Sequence, residues 1–478
     1  MKQSTATIIE QLQQHRYKEA EYTAKDLIRV KPLEAQSWVY LGEALMHQGC
    51  GRAATQVFNR AWLLDPEAAW VVSVFEALKK VPDGDERDDI AGLLHTRKVT
   101  ITAGIITYNM EATIERCLDS LQGAVDEIVI IDCSTDRTVE LAQKYPNVTI
   151  VPFVWVDDFA AARNEGLRHM NTDWVFWMDA DEYLATEDRH YVREAAAIYH
   201  HSPIPPILCI WQVNLINGQV KHNFAQARLF PLRRGLRYWG RVHEQVSTET
   251  GIYNAEARRH KVKIRVLHDG YEPDIMKSKN KLARNVKLLR LMIQEDPEDP
   301  AAWFYLGREL LGAGQEQEAL EALMEAEGRS ISNPLFGRML DVYKYLTEIY
   351  YRRQDWEHAL TCCQKALAIQ PDFPDAHYLL SLIRIKQADL LYQEAEAGLK
   401  RARESFRTYR SFVAADHEIA EWKAEYALAE IAHRGGKSST ARSIYRNIAK
   451  RHPRTANLIQ SKLHHIEAER QRLNGTSE

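Results

Sequence analysis

Hydrophobic positions recur along this chain with two different periods, and the changes of period divide it into three stretches. Up to about residue 90, small and apolar residues recur at helical spacing. The set Ala20, Ala24, Leu27 and Pro32 returns 34 residues later as Ala54, Phe58, Ala61 and Pro66. From about 98 to 272, short β-branched apolar runs alternate with helical stretches. Residues 99–106, 127–131, 148–154 and 174–178 read as strands. The helices between them are carried by Ile114, Cys117, Leu118 and Leu121, by a segment running to Tyr145, and by 159–169. Such alternation predicts an α/β unit with a mostly parallel sheet and right-handed crossovers. Helical spacing then resumes with an amphipathic helix over 276–293, whose stripe is Leu282, Val286, Leu289 and Met292. The expected domains are therefore 1–95, 98–272 and 273–470, the outer two all-α. The turn-forming run Val81-Pro82-Asp83-Gly84-Asp85 precedes the first boundary.

The chain is organised around Trp174-Val175-Phe176-Trp177-Met178-Asp179-Ala180-Asp181-Glu182. Five apolar residues in a row fit a strand buried on both faces. Charge is costly inside such a strand, so the acids belong just past its end, where open α/β sheets bind ligands. On an extended backbone Asp179 and Asp181 point the same way. Two hard oxygen ligands on one side suit Mg²⁺ or Mn²⁺ completed by substrate phosphates. Taken alone, the pattern fits equally well a strand end leading into an acidic helix start.

Composition places the chain among ordinary globular proteins, with 45% hydrophobic and 27% charged residues. A formal net charge of -4 gives no basic surplus for general nucleic-acid binding. Six cysteines without C-x-x-C spacing fit a reducing compartment. The start Met1-Lys2-Gln3-Ser4 has no apolar core of a signal peptide, and no apolar run is long enough for a membrane span. A cytoplasmic location is the expectation.

The outer stretches resemble tetratricopeptide repeats. Trp38-x-x-Leu41-Gly42, followed by Ala54, Phe58, Ala61 and Pro66, has that repeat's period and residue types. Trp303-x-x-Leu306-Gly307 repeats the first part. The sets Ala319, Leu323, Ala326; Ala359, Cys363, Ala366, Pro371; and Ala441, Tyr445, Ile448, Pro453 repeat the second. Small residues let paired helices approach, and proline ends the second helix of each pair.

The middle stretch resembles family 2 glycosyltransferases of the GT-A fold. It carries T-Y-N at 107–109, D-C-S-T-D-R-T at 132–138, A-R-N-E-G at 162–166 and D-A-D-E at 179–182, in that family's order. Ala227-Arg228-Leu229-Phe230 and Gly240-Arg241-Val242-His243-Glu244 match its weaker downstream segments. Cys133 stands where the family often has glycine.

This resemblance implies a nucleotide-sugar site of Thr107, Tyr108, Asn109, Glu111, Asp132, Arg163, Asp179 and Ala180. It also implies Asp181 as a metal ligand for Mn²⁺ or Mg²⁺. His268, in His268-Asp269-Gly270-Tyr271, is the candidate imidazole that completes the metal's coordination, with His243 its competitor. Glu244 is the candidate base that deprotonates the acceptor in a single inverting displacement. The rival readings are structural: Glu244 ion-paired with Arg241 or Arg237, Arg163 in a salt bridge, Asp136 as a helix cap.

A family 2 domain joined to tetratricopeptide repeats resembles the sublancin-type S-glycosyltransferases and related bacterial transferases. The expected donor is a UDP-sugar carrying a hexose or N-acetylhexosamine, and the expected acceptor a peptide or protein side chain. The repeats would supply the concave surface and a means of pairing subunits as a homodimer. A cell-envelope glycan or lipid-linked acceptor is the alternative within the enzyme class, and an inactive repeat scaffold the alternative outside it.

Overall fold

The computed structural model describes residues 2–216, 219–269 and 275–474. The chain divides into two compact units, Met1–Arg338 and Met339–Glu478. The expected closing residues Gly270 and Tyr271 lie outside the described residues.

The first unit is built on a sheet. Its strands are β1 (Ile101–Thr107), β2 (Glu127–Asp132), β3 (Val148–Pro152), β4 (Trp174–Asp179), β5 (Tyr183–Leu184), β6 (Pro206–Ile216), β7 (Gln219–Asn223), β8 (Ala227–Pro231) and β11 (Arg258–Asp269). Spatial order is β3-β2-β1-β4-β8-β6-β11-β5, with β7 paired to β6. β1, β2, β3 and β4 run parallel. Beyond them the sheet is mixed: β8 is antiparallel to both β4 and β6, while β11 is parallel to β6. β9 (Leu236–Trp239) and β10 (Gln245–Thr248) form a separate hairpin. The third strand stops at Pro152, short of 154, and the helix expected to run to Tyr145 is only Thr138–Ala142.

The apolar run of β4 is continuous because the strand has a core on each side. Trp174, Phe176 and Met178 belong to one core with Ile101, Ile105 and Ile130. Val175 and Trp177 belong to the other with Val129, Ile131 and Tyr238. Trp177 needs room that only glycine leaves. A Cβ at Gly104 on β1 would lie 2.8 Å from its indole, and one at Gly166 on the helix Phe159–Arg168 would lie 2.9 Å away.

The repeats reuse one joint. Trp38 Nε1 donates to Pro32 O at 2.8 Å, and Trp303 Nε1 donates to Pro297 O at the same distance. In the second unit, His377 Nε2 meets Pro371 O at 2.8 Å. Each aromatic ring thus ties the first turn of one helix to the carbonyl ending the segment before it. Glycine at the next turn lets the helices touch: a Cβ at Gly42 would meet Phe58 at 2.8 Å, and one at Gly307 would meet Leu323 at 2.7 Å. The helix Gly51–Leu64 docks on the sheet domain, placing Leu63 in its core and joining Arg60 Nε to Glu194 at 2.7 Å. In the second unit the helix Pro374–Ser405 is 32 residues long, well beyond one repeat helix.

Candidate active site

The ends of β1, β2 and β4 lie side by side, and β1 is where strand order reverses from β2-β3 to β4. Ligands of open α/β sheets bind at such points. At the end of β1, the buried Thr107 donates from Oγ1 to Asp132 Oδ1 at 2.7 Å. Tyr108 projects outward, 64% exposed.

Asn109 and Glu111 stitch the two strand-end loops together. Asn109, at φ 54°, accepts from Thr135 N at 2.8 Å and donates its own N–H to Ser134 Oγ at 2.9 Å. Glu111 N donates to Asp136 Oδ2 at 3.2 Å, and Arg137 N donates to Glu111 Oε2 at 3.3 Å. Asp136 also accepts from Thr138 N at 3.0 Å. These two residues expected in the nucleotide site therefore fix loop shape through their polar atoms. Ala180 packs into the core, so its side chain offers nothing to a ligand.

The extended backbone expected across Asp179 and Asp181 stops at Asp179, where β4 ends and the chain turns: Glu182 N donates to Asp179 O at 3.0 Å. The two carboxylates take different partners. Arg228 on β8 grips Asp179 through both oxygens, at 2.9 and 2.6 Å. Arg163 Nη2 adds a third contact at 3.2 Å. Burial alone would raise the Asp179 carboxyl, but these guanidiniums outweigh it and hold it well below the usual carboxylate range. Glu182, 3% exposed, lies behind them, accepting from Asp179 N at 3.0 Å and Gln212 Nε2 at 3.0 Å. Burial pushes its carboxyl up, against the pull of Arg228. Neither Arg228 nor Glu182 is among the expected site residues, although Glu182 closes the D-A-D-E motif and Arg228 opens the R-L-F segment; nothing in those motifs says that the two side chains meet.

Asp181 instead meets His268 of β11, with Oδ2 and Nε2 3.4 Å apart. The His268 Nδ1 lies 3.2 Å from Asn214 Oδ1 on β6. The contact with Asp181 raises the His268 imidazole despite burial. One carboxylate oxygen and one imidazole nitrogen, each partly open to solvent, are a fitting donor pair for a divalent cation that takes its remaining ligands from phosphate and water.

The competitor histidine is occupied elsewhere. His243, at φ 53°, stacks on Tyr305 with centroids 4.5 Å apart, and its Nε2 lies 2.9 Å from Glu309 Oε1. Both partners sit on the repeat helix Pro300–Gly312. Burial alone would raise the Glu309 carboxyl, but His243 and Arg308 pull it down to about 2.

Glu244 follows immediately, and Arg163 Nε donates to its Oε1 at 2.7 Å. Neither sequence-based partner is used: Arg241 pairs with Glu295, and Arg237 lies over the Trp239 ring. Arg163 thus faces two carboxylates while lying against the rings of Trp177 and Tyr238, 4.9 and 5.3 Å from their centroids. The adjacent Asn164 clamps β9, donating to Tyr238 O at 2.9 Å and accepting from Tyr238 N at 2.8 Å. The A-R-N-E-G helix therefore orients the segment that carries Glu244.

Residues 102–201 match the family model Glycosyl transferase family 2, and residues 5–69 and 348–387 match tetratricopeptide repeat models. The chain is 29% identical over 268 residues to the SPbeta prophage-derived glycosyltransferase SunS of Bacillus subtilis, covering 55% of this chain and 62% of that protein. It therefore spans less than two thirds of that relative's length. It is also 29% identical over 110 residues to the poly(ribitol-phosphate) beta-N-acetylglucosaminyltransferase TarS of Staphylococcus aureus, covering 20% of this chain and 19% of the relative. The crystal structure of S. aureus TarS 1-349 in complex with UDP-GlcNAc aligns with 57% of this chain and 93% of its own, at TM-score 0.34 and 15% identity. The chain thus contains a family 2 glycosyltransferase domain together with tetratricopeptide repeats.

Proposed function

We propose that this family 2 domain makes the chain a metal-dependent inverting glycosyltransferase. It moves a hexose or N-acetylhexosamine from a UDP-sugar to a peptide or protein side chain. The observation that carries the proposal is the Asp181–His268 pair, 3.4 Å apart at the end of the sheet that also bears Thr107 and Asp132. A divalent cation held there would offset charge on a departing nucleoside diphosphate.

The chain's own residues do the rest. Asp132 accepts hydrogen bonds from the nucleoside, and Tyr108 offers an exposed ring just past the end of β1. Arg228 and Arg163 keep Asp179 ionised and fixed at the crevice mouth. Among the described residues Arg163 alone hydrogen-bonds Glu244, through Oε1, which leaves Oε2 to take the proton of the acceptor. The repeat helix Pro300–Gly312 fastens His243 and so sets the loop that presents Glu244.

The protein acceptor is supported by the likeness to SunS and by the repeats, whose stacked helices form surfaces suited to peptides. A cell-envelope glycan acceptor is a second reading, favoured by the likeness to TarS. UDP release should be measured with UDP-glucose, UDP-N-acetylglucosamine and UDP-galactose, with Mn²⁺ and with chelator. Mass spectrometry of a peptide pool, set beside poly(ribitol-phosphate), then identifies the acceptor. Full turnover in chelator, or in Asp181→Ala, overturns the metal-dependent mechanism.

A further inference from the structure

A second cluster of metal-binding side chains lies in the other compact unit, where no sugar chemistry is proposed. His433 lies in the last turn of the helix Ala424–Arg434, and His465 and Glu469 are one turn apart on the helix Ala456–Asn474. One donor atom from each of the three lies within 4.8 Å of the others. Glu469 Oε2 is 3.2 Å from His433 Nε2, and its Oε1 is 3.2 Å from His465 Nε2.

We infer that His433, His465 and Glu469 form a binding site for a borderline transition-metal ion such as Zn²⁺. A tetrahedral ion with ligands about 2.0–2.1 Å away needs donors roughly 3.3 Å apart; each imidazole already lies 3.2 Å from a Glu469 oxygen, and the three donors lie within 4.8 Å of one another. Two imidazoles and one carboxylate suit zinc, cobalt, nickel or copper, whereas Mg²⁺ and Ca²⁺ prefer all-oxygen sets. The ring of His433 is oriented as metal-bound histidines are: Nδ1 lies 3.2 Å from Ser438 Oγ, which leaves Nε2 facing Glu469. The cluster joins two helices that share a core with the helix Ser438–Arg451 between them, through Ala429, Tyr445, Ile459 and Ile466. A bound ion would clamp the last helix onto the repeat before it, and the fourth position would be left to water or to a partner's ligand.

The test uses the tag-free full chain carrying Asp181→Ala, which removes the crevice carboxylate as a competitor. Calorimetric titration should find one equivalent of Zn²⁺ bound and no Mg²⁺. The melting temperature should rise with zinc concentration, as binding to the folded state requires. His465→Ala, at an exposed position, and Glu469→Gln should each weaken zinc at least tenfold with an unchanged metal-free melt. Zinc affinity unaltered by both substitutions, or no zinc bound at all, overturns the inference.

Discussion

Arg163 Nε donates to Glu244 Oε1 at 2.7 Å, joining residues 81 positions apart in the chain. The same guanidinium reaches Asp179, so one buried cation ties the candidate base to the end of the central strand. Glu244→Gln keeps an oxygen able to accept from Arg163 and removes only the charge. Turnover should fall by roughly 10²–10⁴-fold with KM for the UDP-sugar little changed. Steady-state UDP release checks this, and wild-type kcat in the variant removes Glu244 from the base role.

His268 is expected to act through cation affinity. His268→Ala should raise the Mn²⁺ concentration for half-maximal activity by about 10–100-fold, the scale seen when groups supporting a metal are lost. Activity should return at high Mn²⁺, because Asp181 and the diphosphate still supply oxygens. A manganese titration in which the half-maximal concentration does not move counts against the Asp181–His268 site.

Arg228 is 3% exposed and neutralises Asp179 and Glu182 together. Arg228→Met keeps most of the volume and leaves both acids without their main counter-charge. Stability should drop by about 3–5 kcal/mol, as for other broken buried ion pairs, and activity should be lost. Urea denaturation followed by tryptophan fluorescence measures the first. Arg228→Lys should recover part of the stability and little activity, since one ammonium cannot replace a two-pronged grip.

Glu309 links pH to the docking of the first C-terminal repeat. Its carboxyl lies at about 2 in the folded chain and near 4.5 when unfolded, so the folded state binds its proton less readily. The stabilisation is therefore complete above about 4.5 and is lost as pH falls toward 2. Glu309→Gln should lower stability near neutrality by at most about 3 kcal/mol, the equivalent of that shift. The gap from wild type should hold from pH 7 to 5 and close in more acid solution. Urea midpoints across that range decide it, and a gap that persists at pH 3 without narrowing contradicts the account.

Much of the architecture is legible in the chain because it is written in periodicity and volume. The tetratricopeptide positions Ala20, Ala54, Phe58, Ala319, Ala359 and Ala441 are all buried, as a recurring small-and-large pattern demands. The unbroken run through β4 means two cores, and Trp174 and Trp177 divide between them. The four parallel strands follow from alternation, and the acids do fall at the strand end.

What the sequence by itself determined, then, is the set of elements and the edge where the chemistry gathers. Partnership was decided only by tertiary structure. Asp179 and Asp181 take different partners after the turn that follows β4, and no spacing rule reveals that Arg228, from an antiparallel strand 49 residues on, will claim the first. His268 and His243 look alike in the sequence. They separate in space because β11 runs beside β6 and β5 while the repeat helix Pro300–Gly312 captures His243. Burial periodicity is a local property of the backbone. Which charges meet depends on long-range packing, where one guanidinium in a dry crevice chooses among several carboxylates by geometry.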